Sequence, residues 1–259
     1  MPDNQLITFI KQAKLDQQTQ PEIHGIIRET SKDFKRQKNA EELRNNFSLM
    51  YGRRPFMMVI PLYDDNLRVK KPWVTTTLIL FCIVMFFLTL NQDFFNQLGL
   101  IPAKFRFSGL LTSIFLHANF MHLIGNLFYF WTFGDNVEDV TGPVKYICFF
   151  FFCGIMAGLT HMFLNPESII PAIGASGAIS GLMGAYLYLF PKVHLKTWIN
   201  GRIIDIPMWI YLGIWFLGQL FSTLLSLSAN KQYSGVAFGA HVGGFIAGYL
   251  GMWLMKAKD

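Results

Sequence analysis

Three apolar stretches of this chain carry polar groups that could together perform acyl transfer. Ser176 and Ser180 stand in GASGAISG (174–181), His241 in AHVGGFIAG (240–248), and His117, Asn119, His122 and Asn126 in the run ahead of GDNVED (134–139). A serine hydroxyl attacks a carbonyl only when a base takes its proton, and a neutral imidazole at hydrogen-bond distance does so near neutral pH. The oxyanion that develops then needs preorganised donors. His122 and Asn126 can donate from their side chains, and the first N–H groups of a helix are free to donate because helix geometry leaves them unpaired. Pro171 and Gly174 place such a helix start just before Ser176, where the positive end of the helix also favours an anion. A single serine of this kind commonly bonds its own backbone, so the case rests on the groups acting jointly.

The elements that must position them are membrane helices. The chain has 259 residues, 52% hydrophobic, 16% aromatic and only 15% charged, too few charges to cover a water-facing surface. Asp, Glu, Lys and Arg are missing from 72–92, 107–134, 146–166, 168–191, 206–230 and 232–255. Each stretch is long enough to cross a hydrocarbon core of about 30 Å. The expected fold is an all-α polytopic membrane protein, a bundle of six transmembrane helices behind a small N-terminal cytoplasmic region. A disordered chain, a disulfide scaffold and a singly anchored soluble enzyme are excluded. Cys82, Cys148 and Cys153 all fall in predicted spans as small packing residues. The first apolar run begins too late to be a cleavable signal, so the chain is expected to insert uncut.

Basic residues set the orientation, because Lys- and Arg-rich loops stay in the cytoplasm. With both termini inside, 19 of the 22 face the cytoplasm, 13 of them in 1–72. That gives three regions: a cytoplasmic 1–72, a membrane domain over 73–255 and a short tail, 256–259. Within the first, Phe34, Leu43, Phe47 and Met50 suggest an amphipathic helix, and Met57 to Pro61 a short strand or extended lead-in. Its excess of basic residues suits anionic headgroups, and nothing in it resembles a nucleic-acid-binding motif. The segment 91–113 is too short in its apolar part to span, and is expected in the outer interface with Phe94, Phe95, Phe105 and Phe107 towards lipid.

Depth along the spans brings the polar groups together. Ser176 lies 15 residues before Pro191 and His241 lies 15 before Lys256; at 1.5 Å per residue, both sit about 22 Å above the cytoplasmic boundary. His122 is 13 residues before Asp135, with Asn126 one turn deeper. Asp93, Asp135, Glu138, Asp139, Glu167 and Asp205 are the acids between 73 and 255, and all fall at predicted span ends or in loops. No carboxylate is therefore placed to complete a triad, and a Ser-His dyad is expected. The sequence has no HExxH for zinc and no span with the two Asp of an aspartyl dyad. A transporter would use intramembrane His and Asn as a relay, but the lack of intramembrane carboxylates and of two similar halves argues against one. His117 reads as structural, His161, His24 and His194 as solvated or interfacial, Trp73, Trp131 and Trp253 as interface anchors or packing, and Glu138 as a hydrogen-bond bracket at the cytoplasmic end.

These residues resemble the rhomboid family of intramembrane serine proteases. The resemblance covers about 72–255 and rests on LTSIFLHANFMHLIGN (111–126), GDNVED, GASGAISG and AHVGGFIAG, in order. It implies Ser176 as nucleophile, His241 as general base, His122 and Asn126 as oxyanion donors, and the six-helix, bacterial-type form of a bacterial cytoplasmic membrane. It also implies hydrolysis in or near a transmembrane helix of another membrane protein, after a small residue such as Ala. The implied partners are transmembrane protein substrates and the lipid bilayer; no metal, organic cofactor or nucleic acid is implied. Non-catalytic relatives usually lose the Ser or the His, and both stand here. Where many members carry Trp-Arg ahead of the second span, this chain has Ser108-Gly109.

Overall fold

The structure is a computed structural model that describes residues 59–64, 66, 70–199, 201–228 and 236–256. Phe34, Leu43, Phe47, Met50, Met57 and the tail 257–259 lie outside the described residues. The chain divides into two compact units, one of 1–59 with 198–203 and one of 60–197 with 204–259. The second unit holds every described helix.

These helices are α1 (Trp73–Leu88), α2 (Asp93–Leu98), α3 (Phe107–Thr112), α4 (Phe120–Thr141), α5 (Pro143–Leu164), α6 (Ser176–Leu189), α7 (Met208–Ser228) and α8 (Phe238–Lys256), with 3-10 turns at Pro102–Lys104 and Ser113–Phe115. Strands β1 (Val59–Asp64), β2 (His194–Ile199) and β3 (Arg202–Pro207) pair in that order. Of the segment expected as a short strand or an extended lead-in over 57–61, residues 59–61 are strand and 57–58 lie outside the described residues.

Each charge-free stretch holds one of α1, α4, α5, α6, α7 and α8, but not all as straight spans. Among the described residues, α5, α7 and α8 are long and apolar enough to cross a membrane, and a fourth crossing forms if α3, its 3-10 turn and α4 count as one. That pair is bent by 90°. The break falls at Leu116, whose backbone is extended, and at Asn119, whose side chain caps α4 by accepting the His122 N–H at 2.8 Å. His117 and Asn119 thus sit in the break rather than on a helix. The cap is what the sequence chemistry favours, since Asn accepts readily from the first turn of a helix. α1 has 16 residues and α6 only 14, because 165–175 is loop.

At its other end α4 runs on past Asp135 to Thr141, burying Asp135 and Glu138 within the helix. Gly142 then takes φ 75° and ψ 162°, open only to glycine, and Pro143 opens α5. Glu138 does act as a bracket. Its carboxylate accepts the Val74 N–H at 2.9 Å, the Thr75 N–H at 2.8 Å and the Thr75 hydroxyl at 2.7 Å. Those N–H groups open α1, where a helix leaves its donors unpaired, and the Tyr146 hydroxyl lies 2.9 Å from that of Thr75. Glu138→Ala is expected to destabilise the protein by about 1.5–3 kcal/mol, the worth of hydrogen bonds to a buried charge. A melting temperature in detergent within a degree of wild type would show that the bracket contributes nothing.

α8 packs along α6 and α5, α6 also along α4 and α5, and α1 against α4. In lipid such packing is driven by van der Waals contact and hydrogen bonds, so backbone proximity matters. A Cβ added at Gly244 would strike the Gly177 carbonyl oxygen, one at Gly248 that of Gly181, and one at Gly184 that of Phe245. In the sequence, spacings of three and four put His241, Gly244 and Gly248 on one face of α8, and spacings of four put Ser176, Ser180 and Gly184 on one face of α6. Gly184 does meet α8, at Phe245, but Gly244 and Gly248 meet Gly177 and Gly181, each one residue past Ser176 and Ser180. The reason is axial rotation: one residue turns a helix by about 100°.

Candidate active site

Ser176 opens α6, and the approach to it is pinned from outside the helix. Leu100 and Ala172 exchange two backbone hydrogen bonds, at 3.1 and 2.8 Å, and the Ala103 N–H donates to the Ser168 carbonyl at 3.0 Å. The Gly174 N–H donates to the Ser113 carbonyl at 2.9 Å. The segment 91–113 therefore fixes the loop before the nucleophile candidate. That segment is itself folded as α2, a 3-10 turn and α3. Phe107 is 82% exposed, whereas Phe94 and Phe95 are half-buried. At the departure Ser108-Gly109, a Cβ on Gly109 would meet the Gly99 carbonyl oxygen at 3.0 Å. Arg106 donates to the Asn96 carbonyl at 2.8 Å and the Thr112 hydroxyl to that of Leu98 at 2.5 Å. Close backbone contact and these two donors brace the segment.

Gly174 adopts φ 119°, and a Cβ there would lie 2.8 Å from His122 Nε2 and 3.8 Å from Ser176 Oγ. Only glycine fits both the backbone conformation and the space. The same numbers place His122 Nε2 and Ser176 Oγ around one point.

His241 Nε2 and Ser176 Oγ are 2.8 Å apart. α6 and α8 can bring so short a side chain within reach because their glycines allow close approach. His241 Nδ1 lies 2.8 Å from Oε1 of Gln219 on α7. The rings of Trp215 and Phe238 lie 6.1 and 6.5 Å from that of His241. Gln219 escaped the sequence reading, which searched only for acids. A signal existed: it is the one amide in the apolar stretch 206–230 apart from Asn230, and it stands 12 residues above Pro207, about 18 Å up the helix and close to His241's level.

His122 and Asn126 are placed differently from each other. The Ala118 N–H approaches His122 Nδ1 at 3.4 Å, which leaves the proton on Nε2, the nitrogen facing Gly174. Asn126 is buried and donates one amide hydrogen to the His122 carbonyl at 2.8 Å. Its second amide hydrogen remains for another acceptor. His117 is fully buried, with its ring edge-on to that of His122 at 5.3 Å. The Ser180 hydroxyl donates to the Ser176 carbonyl at 2.6 Å, the self-bonding usual for serine in apolar helices. His161 is half-buried beside Asn165.

A cavity of about 510 Å³ opens at this end of the unit, reaching His122 and lined also by Phe95, His161, Ala172, Thr223 and Phe238. Among the described residues no cluster of three or more His, Cys, Asp and Glu side chains could hold a metal ion.

A family profile described as "Rhomboid domain" matches residues 104–258. Similar proteins include "Rhomboid protease GluP" of Bacillus subtilis, 27% identical over 83% of this chain and 43% of the relative. "Rhomboid-like protein 11, chloroplastic" of Arabidopsis thaliana is 27% identical over 60% of this chain and 54% of the relative. "Rhomboid protease GlpG" of Salmonella typhi is 28% identical over 79% of this chain and 68% of the relative. The chain spans about half the length of the first two.

Proposed function

Because this chain belongs to the rhomboid family and is a multi-pass integral membrane protein, we propose that it is an intramembrane serine endopeptidase working through a Ser176–His241 dyad. The observation that carries this reading is the 2.8 Å contact between His241 Nε2 and Ser176 Oγ, on two helices whose backbones touch. In the reaction, His241 Nε2 takes the Ser176 proton as Oγ bonds to the scissile carbonyl carbon. The carbonyl π pair moves onto oxygen. His241 then gives its proton to the leaving amine as the C–N bond breaks, leaving an acyl-serine. Water, deprotonated by the same imidazole, attacks that ester and releases the acid fragment and free Ser176.

The oxyanion would be held by the first N–H groups of α6 and by His122 Nε2–H, with Asn126 fixing the His122 backbone and offering its second amide hydrogen. His122→Ala or Asn126→Ala is expected to lower kcat about 10- to 1000-fold with a smaller change in KM, since such donors act mainly in the transition state. Unchanged kcat in both variants would remove them from this role. The loss stays partial because the backbone donors remain.

Substrates would be transmembrane helices of other proteins, cut after a small residue such as Ala where the helix unwinds near the outer surface. Unwinding is required because a helical carbonyl is already hydrogen-bonded. From its basic residues we place both termini inside, and from its resemblance to the bacterial-type form we place the chain in a bacterial cytoplasmic membrane, divided into a cytoplasmic 1–72, the protease domain 73–255 and the tail 256–259. The test of the function is a fluorophosphonate applied to the detergent-solubilised full chain, with the adduct mapped by mass spectrometry. An adduct on Ser176 that requires His241 is expected; an adduct elsewhere, or none, overturns the reading.

A further inference from the structure

We propose that Gln219 is a positioning residue for His241, the uncharged third member of a Ser176–His241–Gln219 relay. The proposal rests on the serine-protease reading above. It starts from hydrogen-bond direction. For Ser176 to donate its proton to His241, Nε2 must carry a lone pair, so the ring proton sits on Nδ1. That proton needs an acceptor away from water, and Gln219 Oε1 lies 2.8 Å from Nδ1. All donors then run one way, from Ser176 Oγ to His241 to Gln219. When the imidazolium forms, Nδ1 still donates and Oε1 still accepts. Nothing at that end must rearrange during the cycle.

The setting explains why the third group is an amide. Asp and Glu are absent from 206–230 and 232–255, the stretches that carry Gln219 and His241, and a carboxylate buried there would be costly. An amide oxygen fixes tautomer and ring orientation without burying a charge. The packing agrees with that task. Trp215, one helical turn before Gln219 on α7, lies 6.1 Å from the His241 ring with the planes 30° apart, and Phe238 meets the ring edge-on. The ring thus has Trp215 tilted beside it, Phe238 perpendicular to it and Gln219 at Nδ1. Gln219 itself is anchored on a continuous helix, whose next turn is tied by the Thr223 hydroxyl donating to the Gln219 carbonyl at 2.8 Å.

The experiment measures the rate of fluorophosphonate labelling of Ser176, together with kcat and KM on a model transmembrane substrate, in wild type, Gln219→Met and Gln219→Glu. Methionine keeps the length and removes the acceptor, so labelling and kcat should fall together by about 10- to 100-fold, because the wrong tautomer cannot act as base. KM and melting temperature should stay near wild type. Glutamate restores an acceptor, so activity should return at alkaline pH, with the acidic limb of the kcat profile moved to higher pH because a carboxylate favours the imidazolium. A purely packing role predicts the reverse order, with Gln219→Met tolerated and Gln219→Glu damaging at every pH. If Ser176 is labelled in wild type and Gln219→Met is labelled within twofold of that rate, the positioning role is overturned while the protease reading stands. If Ser176 of the wild type is not labelled at all, both fall. Should Gln219→Met be poorly folded, nitrogen NMR of His241 in wild type decides: a single Nδ1-protonated tautomer is expected, and the Nε2-protonated form overturns the proposal.

Discussion

Ser176→Ala and His241→Ala are each expected to abolish cleavage of a transmembrane substrate, by at least about 10⁴-fold, with the protein still inserted and folded. Removing the nucleophile leaves no acyl-serine to form, and removing the base leaves a hydroxyl that is a poor nucleophile at neutral pH. The double variant should be no worse than either single one, because the two groups act as a unit. Stability should change least for Ser176→Ala, which removes one hydrogen bond of 2.8 Å, worth about 1 kcal/mol net; His241→Ala removes that bond and the one to Gln219, about twice as much. Near-normal turnover by either variant would sink the dyad and redirect attention to Ser113 or Ser180 with His117 or His122. The geometry makes those substitutes poor: the Ser180 hydroxyl is committed to the Ser176 carbonyl, and Ser113 is 7% exposed.

Gly248→Val and Gly244→Leu are expected to cost most of the activity and several degrees of melting temperature, although neither residue touches the chemistry. A side chain at either position would be driven into a carbonyl oxygen of α6, that of Gly181 or of Gly177. Backbone cannot move aside as a side-chain tip can, so the helices must separate. Overpacking alone usually costs about 1–3 kcal/mol, and obstruction by backbone should exceed that. Separation also draws His241 away from Ser176, where a misplacement of about 1 Å can cost about 100-fold in rate. If these glycines only reflected the glycine content of membrane helices, all helical glycines would respond alike. Gly213 and Gly218 on α7 face open space, so Gly218→Leu should match wild type. Equal behaviour of Gly218→Leu and Gly248→Val, in activity and in melting temperature, would show that close approach of α6 and α8 is not what holds the site.

Much of the fold was legible because its signals are local. An absence of charge over some twenty residues marks a membrane helix wherever it occurs, since the cost of burying a charge in lipid needs no partner to be felt. Pro171 and Gly174 marked the start of α6 in the same way, through backbone geometry. The bracket role of Glu138 was readable from its position past an apolar run, though its burial within α4 was not. The break at Leu116–Asn119 was missed, because an uninterrupted apolar stretch reads the same whether the helix continues or turns by 90°.

The site divides along the same line. Residue counts alone set Ser176 and His241 at one depth, for rise per residue is a property of the helix itself. Which sides of the helices face each other depends on rotation about their axes, and that is decided only when neighbouring helices pack. Hence Gly177 and Gly181, not Ser176 and Ser180, meet Gly244 and Gly248 of α8, the first amide hydrogen of Asn126 goes to the His122 carbonyl, and His241 Nδ1 meets Gln219 on a third helix. Sequence by itself determined that this is a membrane bundle with a serine and a histidine at matched depth. Tertiary structure decided what each of them touches, because contact needs three helices to agree in rotation as well as in height.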